Sequence, residues 1–189
     1  MSRLLYEFFK APQAIGSIAP SSRALAFAML KPVRLTQRKV IVELGPGTGA
    51  ITQAIAPRLR ANQRYVGVEI NSAMVQLLRL KFPHLDFASA SVEKLNTVMK
   101  ARGIDTIDAV ICSLPWASLP TKVQLRAFAA LRKLCPKGSI FVTFAYLQGL
   151  PLPGSRALLT RLKAEFSSVK TSPIVWRNIP PALVYICEK

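Results

Sequence analysis

The chain has 189 residues, enough for one domain around one core, and 51% of them are apolar or aromatic, which supplies that core. Its formal net charge of +17 is more than an enzyme of small neutral metabolites requires; it suits nucleic acid or an anionic membrane surface, with a basic surface kept for solubility as the plain alternative. The chain lacks an apolar run of the ~18 residues a membrane span needs, a signal-peptide core in MSRLLYEFFKAPQ, and a metal or disulfide pattern among Cys112, Cys135 and Cys187, so a reducing cytoplasm is the expected compartment.

In chain order, residues 3–10 set Leu4, Leu5, Phe8 and Phe9 on one helical stripe, with Arg3, Glu7 and Lys10 elsewhere on the turn. Such a helix can lie on lipid or pack on the domain. Pro12 and Gly16 interrupt it. Ser21 or Ser22 can cap a second helix through about Leu30, closed by Lys31-Pro32. Residues 1–36 thus read as an N-terminal helical segment and 37–189 as the main domain. From Lys39 strands and helices alternate. Strands are expected at Val40–Leu44, Tyr65–Glu69, Leu85–Ala88, Ile107–Cys112 and Ser139–Phe144. Helices are expected at Ala50–Leu59, Ala73–Leu80, 92–101, Lys122–Leu134 and Ser155–Phe166. Residues 169–176 and 182–187 form a closing antiparallel pair. This alternation implies an α/β fold, a parallel sheet with helices on both faces.

The sharpest local signal is Glu43-Leu44-Gly45-Pro46-Gly47-Thr48-Gly49, between the first strand and the first helix of the sheet. That is the context a nucleotide-binding loop needs, beyond the carboxyl ends of the strands. Dinucleotide enzymes prefer G-x-G-x-x-G, with pyrophosphate on the helix N-terminus. This loop is G-x-G-x-G with an acid two residues ahead, which suits a zwitterionic amino acid better than a pyrophosphate. It resembles motif I of class I methyltransferases. That resemblance implies S-adenosylmethionine as cofactor and S-adenosylhomocysteine as product, with Glu43 facing the methionine ammonium. It also implies a Rossmann-like seven-stranded sheet with an antiparallel last strand. Glu69 closes the second strand, 20 positions after Gly49, where an acid can accept both ribose hydroxyls, with Ile70 beside it. Members often carry an Asp for adenine after the third strand. Here the stretch is Ala88-Ser89-Ala90-Ser91-Val92-Glu93, so Ser91 and Val92 are the nearest match.

The fourth strand runs into Cys112-Ser113-Leu114-Pro115-Trp116. This resembles motif IV of amino methyltransferases, in its N-L-P-Y form. An amine must present a neutral lone pair in line with the methyl, so positioning supplies much of the rate. Ser113 and the Leu114 carbonyl are the expected acceptors of its hydrogens, Ser113 also bordering the cofactor. Trp116 is the expected aromatic wall for the developing ammonium; a proline turn with a buried Trp is the alternative. Tyr146, after the fifth strand, and Tyr6, if the first helix covers the pocket, are further aromatic candidates. His84 sits in a Pro-His turn and receives no role, and no metal is expected.

Together Phe9-Lys10-Ala11-Pro12, Gly16-Ser17-Ile18-Ala19-Pro20-Ser21-Ser22, the motif I loop, Ser113-Leu114-Pro115-Trp116, Phe144-Ala145-Tyr146 and Asn178-Ile179-Pro180-Pro181-Ala182-Leu183-Val184-Tyr185 resemble the short bacterial phospholipid N-methyltransferases. The resemblance implies conversion of phosphatidylethanolamine toward phosphatidylcholine by an enzyme peripheral to the inner face of the cytoplasmic membrane. It implies a phospholipid substrate and an anionic membrane as partners, with residues 1–36 binding lipid and sheltering the site. Ala145, where Thr is expected, and the missing adenine Asp depart from the pattern and leave the lipid open; ornithine lipid is a second amine of the same kind. A ribosomal RNA adenine dimethyltransferase is the rival. Those enzymes usually add a helical RNA-binding domain after the sheet, whereas this chain ends at Lys189, and they place Asn where Ser113 stands. A basic scaffold that binds membrane or RNA without catalysis is the remaining alternative.

Overall fold

The computed structural model describes residues 21–189. The Ser22 side chain accepts the Leu25 N–H at 3.1 Å and starts helix α1 (Arg23–Leu30). α1 buries Leu25, Ala26, Met29 and Leu30. Pro32 lies in the tight turn that follows, Lys31–Val33, and Arg34 takes a left-handed conformation (φ 51°) before a second turn at Leu35–Gln37. Residues 21–36 are therefore built into the core of the domain. The rest of the expected N-terminal segment, including Tyr6 and the Leu4/Phe8 stripe, lies outside the described residues.

The sheet contains β1 (Val40–Leu44), β2 (Arg64–Glu69), β3 (Asp86–Ser89), β4 (Ala109–Cys112), β5 (Ile140–Tyr146), β6 (Ser168–Thr171) and β7 (Ala182–Glu188) in the order β3-β2-β1-β4-β5-β7-β6. β1 to β5 pair in parallel, and β7 is antiparallel to both β5 and β6. This is the seven-stranded arrangement with a reversed last strand that the resemblance implies. The two edge strands, β3 and β6, are only four residues long.

Alternation along the strands divides the core. Val42, Leu44, Val110 and Phe141 face helices α4 (Leu95–Lys100), α5 (Thr121–Leu134) and α6 (Pro153–Glu165). Ile41, Ile111, Val142 and Val184 face α1, α2 (Thr52–Ile55) and α3 (Ser72–Lys81). Strand order reverses between β1 and β4. The crevice beyond their carboxyl ends is where ligands bind in open α/β sheets.

Several elements are shorter than their sequence patterns suggest. The helix expected over Ala50–Leu59 is α-helical only in α2, then tightens at Ala56–Arg58. Pro57 has no N–H to donate to the Gln53 carbonyl, so the ladder stops. The helix expected over 92–101 begins as a tight turn at Val92–Lys94 before α4. The strand expected over 169–176 ends at Thr171; Pro173 interrupts it, and beyond that point Val175 makes an isolated bridge to Ala182.

Candidate active site

The glycine turn lies where β1 meets the reversal point. The Gly45 N–H donates to the Val68 carbonyl at 2.9 Å, and the Gly49 N–H to the Pro46 carbonyl at 2.9 Å. A Cβ on Gly45 (φ 72°) would lie 2.7 Å from Leu114 Cδ2, so the Leu114 side chain would have to shift. The glycine turn and the loop after β4 are thus packed against each other. A Cβ on Gly47 (φ 56°) would meet nothing within 4 Å, which marks the open side of the turn. Thr48 is exposed, and its carbonyl accepts from Lys81 Nζ at 3.2 Å.

Glu43 is completely buried beneath this turn. Its Oε2 accepts from the Thr52 hydroxyl at 2.8 Å and the Tyr65 hydroxyl at 2.5 Å, while Oε1 has no partner among the described residues. Burial is the main reason its carboxyl is raised to about 7; the hydrogen bonds from Tyr65 and Thr52 oppose that rise, and the Glu69 charge adds to it. Tyr65 and Thr52 were not foreseen. Their signal is the alternation Tyr65-x-Gly67-x-Glu69 on one face of β2, with Gly67 registered against Glu43. Gly67 leaves space for the side chains that pack there: a Cβ would lie 2.5 Å from Phe87 Cδ1 and 3.1 Å from the Tyr65 hydroxyl oxygen.

Glu69 is also buried, at 3% exposure. Oε2 accepts the Gly47 N–H at 3.1 Å and Oε1 the Asn71 N–H at 2.9 Å. A carboxylate has about four acceptor positions, so each oxygen keeps capacity for a further donor. Asn71 also caps α3 by accepting from the Ala73 and Met74 N–H groups. Ile70 is 43% exposed beside Glu69, an apolar surface open to a ligand. Ser91 caps the turn after β3 and is half-buried, with Val92 buried next to it. A sulfonium amino-acid nucleoside fits this donor set: an orphan buried carboxylate oxygen for its ammonium, a positioned carboxylate for its sugar, and a glycine face with no side chain.

The loop after β4 starts with the Ser113 N–H donating to the Leu44 carbonyl at 2.8 Å. The Ser113 Oγ is buried without a partner among the described residues. The Leu114 carbonyl accepts the Trp116 N–H at 2.9 Å. Trp116 corrects the sequence reading. Its ring is 3% exposed, stacked on Phe128 at 4.8 Å and edge-on to Phe141 at 6.2 Å. Three aromatic rings from α5, β5 and this loop exclude water together, so the indole belongs to the core and not to an acceptor wall. Tyr146 is half-buried at the end of β5, edge-on to Phe144 at 5.4 Å. Cys112 is fully buried and its thiol is pushed up to about 12 by that burial, so it is no nucleophile. Among the described residues no group of His, Cys, Asp and Glu could hold a metal ion.

Residues 41–138 match the model of a family described as a methyltransferase domain. An ornithine lipid N-methyltransferase of Singulisphaera acidiphila is 33% identical over 188 residues, covering 97% of this chain and 93% of its own. The O-methyltransferase of Bacillus cereus, solved with S-adenosylhomocysteine, superposes with a TM-score of 0.68 at 14% identity, covering 100% of this chain and 92% of its own. The O-methyltransferase TomG of Streptomyces achromogenes, solved with S-adenosylmethionine, gives 0.67 at 18% identity, covering 100% and 91%. At those identities the two solved structures speak to fold alone.

Proposed function

This chain belongs to the class I S-adenosylmethionine-dependent methyltransferases, and from that premise we propose that it methylates the primary amine of a membrane lipid headgroup. The observation that carries the reading is the buried Ser113 hydroxyl beside the glycine turn, without a partner among the described residues. A hydroxyl oxygen held there out of water can accept an amine hydrogen, with the second lone pair of the Leu114 carbonyl as its companion. The Singulisphaera enzyme acts, by its name, on ornithine lipid, which puts that amine beside the phosphatidylethanolamine suggested by the loop motifs. Both present a primary amine on an amphiphile.

The cofactor supplies an electrophilic methyl on a sulfonium. The chain's residues divide the remaining work. Glu43 Oε1 receives the ammonium. Glu69 receives the ribose hydroxyls, its carboxylate already aimed by the Gly47 and Asn71 N–H groups. Ile70, Ser91 and Val92 border the adenine. Ser113 and the Leu114 carbonyl orient the lipid amine, and Tyr146 supplies the aromatic wall. Removal of the amine from water lowers its pKa and favours the neutral nucleophile. No helix among the described residues is long and apolar enough to cross a membrane. In this reading the enzyme works peripherally, on the inner face of the cytoplasmic membrane, with residues 1–36 contributing to docking and cover.

The test is expression in a host that makes neither phosphatidylcholine nor methylated ornithine lipid, followed by thin-layer separation of its lipids. New methylated phosphatidylethanolamine or ornithine lipid is expected, and which of the two appears decides between them. An unchanged lipid profile alongside methylated adenine in ribosomal RNA would refute the lipid reading.

A further inference from the structure

A second concavity lies away from the glycine turn, between α1 and the β6–β7 pair. It encloses about 1410 Å³, more than the roughly 300–1,000 Å³ of most small-ligand pockets, and no candidate cofactor or acceptor residue lines it. One wall is a single face of α1, with Ala24, Phe27 and Ala28 at the spacing of neighbouring helical turns, continued by Lys31 just past its end. The other wall comes from the sheet and from the 172–177 segment, where Ile174, Val175 and Ile186 give an aliphatic floor. Phe27 and Trp176 stand at its opening, 61% and 66% exposed. Large aromatic rings left in water around an apolar floor mark a surface that covers something apolar.

The rim is strongly basic. Lys31, Arg34, Lys137, Lys170 and Arg177 line it and are exposed. None is ion-paired among the described residues, whose salt bridges are Arg102–Asp86, Arg126–Glu93 and Arg132–Glu165. Glu188 is the one acid in the lining. Arg34 takes a left-handed backbone conformation (φ 51°), which residues other than glycine rarely adopt. Nucleic acid would meet the cations, but the aliphatic floor would then cover nothing.

We propose that this groove binds an anionic phospholipid of the membrane, its acyl chain along the floor and its phosphate among the rim cations. The inference rests on the reading that the enzyme works at a lipid surface, and it adds a binding site separate from the one that transfers the methyl. A lipid held here would orient the protein on the bilayer without being methylated.

Trp176 provides the readout, because the other tryptophan, Trp116, is buried. The full chain is titrated with lysophosphatidylglycerol below its micelle concentration. Glycerol 3-phosphate, lysophosphatidylcholine and a mixed-sequence RNA 20-mer serve as comparisons. The expected result is a saturable blue shift with lysophosphatidylglycerol alone. A Lys31→Glu/Arg34→Glu/Lys170→Glu variant should bind it about fivefold or more weakly for each cation lost, while its affinity for S-adenosylmethionine stays unchanged and confirms folding. Undiminished binding by the variant overturns the proposal, as does RNA producing the shift in place of the lysolipid. So does a red shift without ligand in Leu4→Glu/Phe8→Glu, because the groove would then be filled by the chain's own first residues. Methyl transfer to dihexanoyl phosphatidylethanolamine and to ornithine lipid is measured in parallel. Saturable lysolipid binding without transfer to either would sink the function and leave the groove standing.

Discussion

Cofactor affinity should follow the ionisation of Glu43. Its carboxyl is raised to about 7 by complete burial, and Oε1, without a partner among the described residues, is the oxygen proposed to receive the ammonium. Only the ionised form attracts that cation. At pH 6 roughly one carboxyl in eleven is ionised, so the dissociation constant should be about elevenfold weaker than its plateau, close to 1.4 kcal/mol, and about tenfold weaker again per unit below. On the alkaline side the cofactor's own amine, ordinarily near 7.7–8.0, loses its charge. The affinity optimum therefore lies between pH 7 and 8. Isothermal titration calorimetry in buffers of different ionisation enthalpy should show nearly one proton released per cofactor bound at pH 6. Tyr65→Phe removes a hydrogen bond that favours the carboxylate, so its acidic limb should move to higher pH. Glu43→Gln should lose that limb entirely. A dissociation constant flat from pH 5.5 to 7, with no proton released, would refute the assignment of Glu43 to the ammonium. Without cofactor the same group acts on stability in the opposite sense. The native chain keeps a proton that the unfolded chain gives up near 4.5, so this contribution is complete below 4.5 and lost as pH rises through about 7. Its size is on the order of 3 kcal/mol, read as the difference between the melting profiles of the parent and Glu43→Gln across pH 4–8.

Glu69→Ala removes both the acceptor for the ribose and the anchor of the Gly47 N–H, and cofactor binding should disappear in the calorimeter; unchanged affinity would withdraw the ribose role. Gly45→Ala should push Leu114 aside and cost about 1–2 kcal/mol of left-handed backbone strain, lowering turnover more than cofactor affinity; equal losses in both would mean that the two loops do not act through that contact. Trp116→Ala should cost roughly 3–5 kcal/mol of stability through the cavity left beside Phe128 and Phe141. Its melting temperature should fall by about 6–20 °C, with cofactor affinity retained at temperatures where the variant is folded.

The sheet was readable because β1, β2 and β4 are apolar runs that stop at a glycine, an acid or a proline loop. Two of the errors fall at Pro57 and Pro173, where a missing N–H decides the end of an element against an otherwise regular pattern. Glu43, Glu69 and the glycines were visible as a motif because their spacing is local. Trp116 was misjudged for the converse reason. The motif fixes its place in the loop, but the side to which its ring turns is set by Phe128 and Phe141, 12 and 25 positions downstream. Tyr65 belongs to no motif, and its role depends on the space above Gly67 that only strand register reveals. The groove pairs a face of α1 with a segment about 150 positions later, a juxtaposition that no window of sequence contains.

The two outermost strands carry a consequence for how this enzyme survives at high local density. A sheet grows by recruiting a backbone onto an unpaired border, and longer, flatter, uncharged borders recruit best. Here each border offers four residues and a charge, Asp86 on one side and Lys170 on the other, and Pro173 bars continuation past the second. Crowded copies have little backbone to zip together, so accretion into fibrils is discouraged at the ends of the sheet while its middle stays free to serve the chemistry.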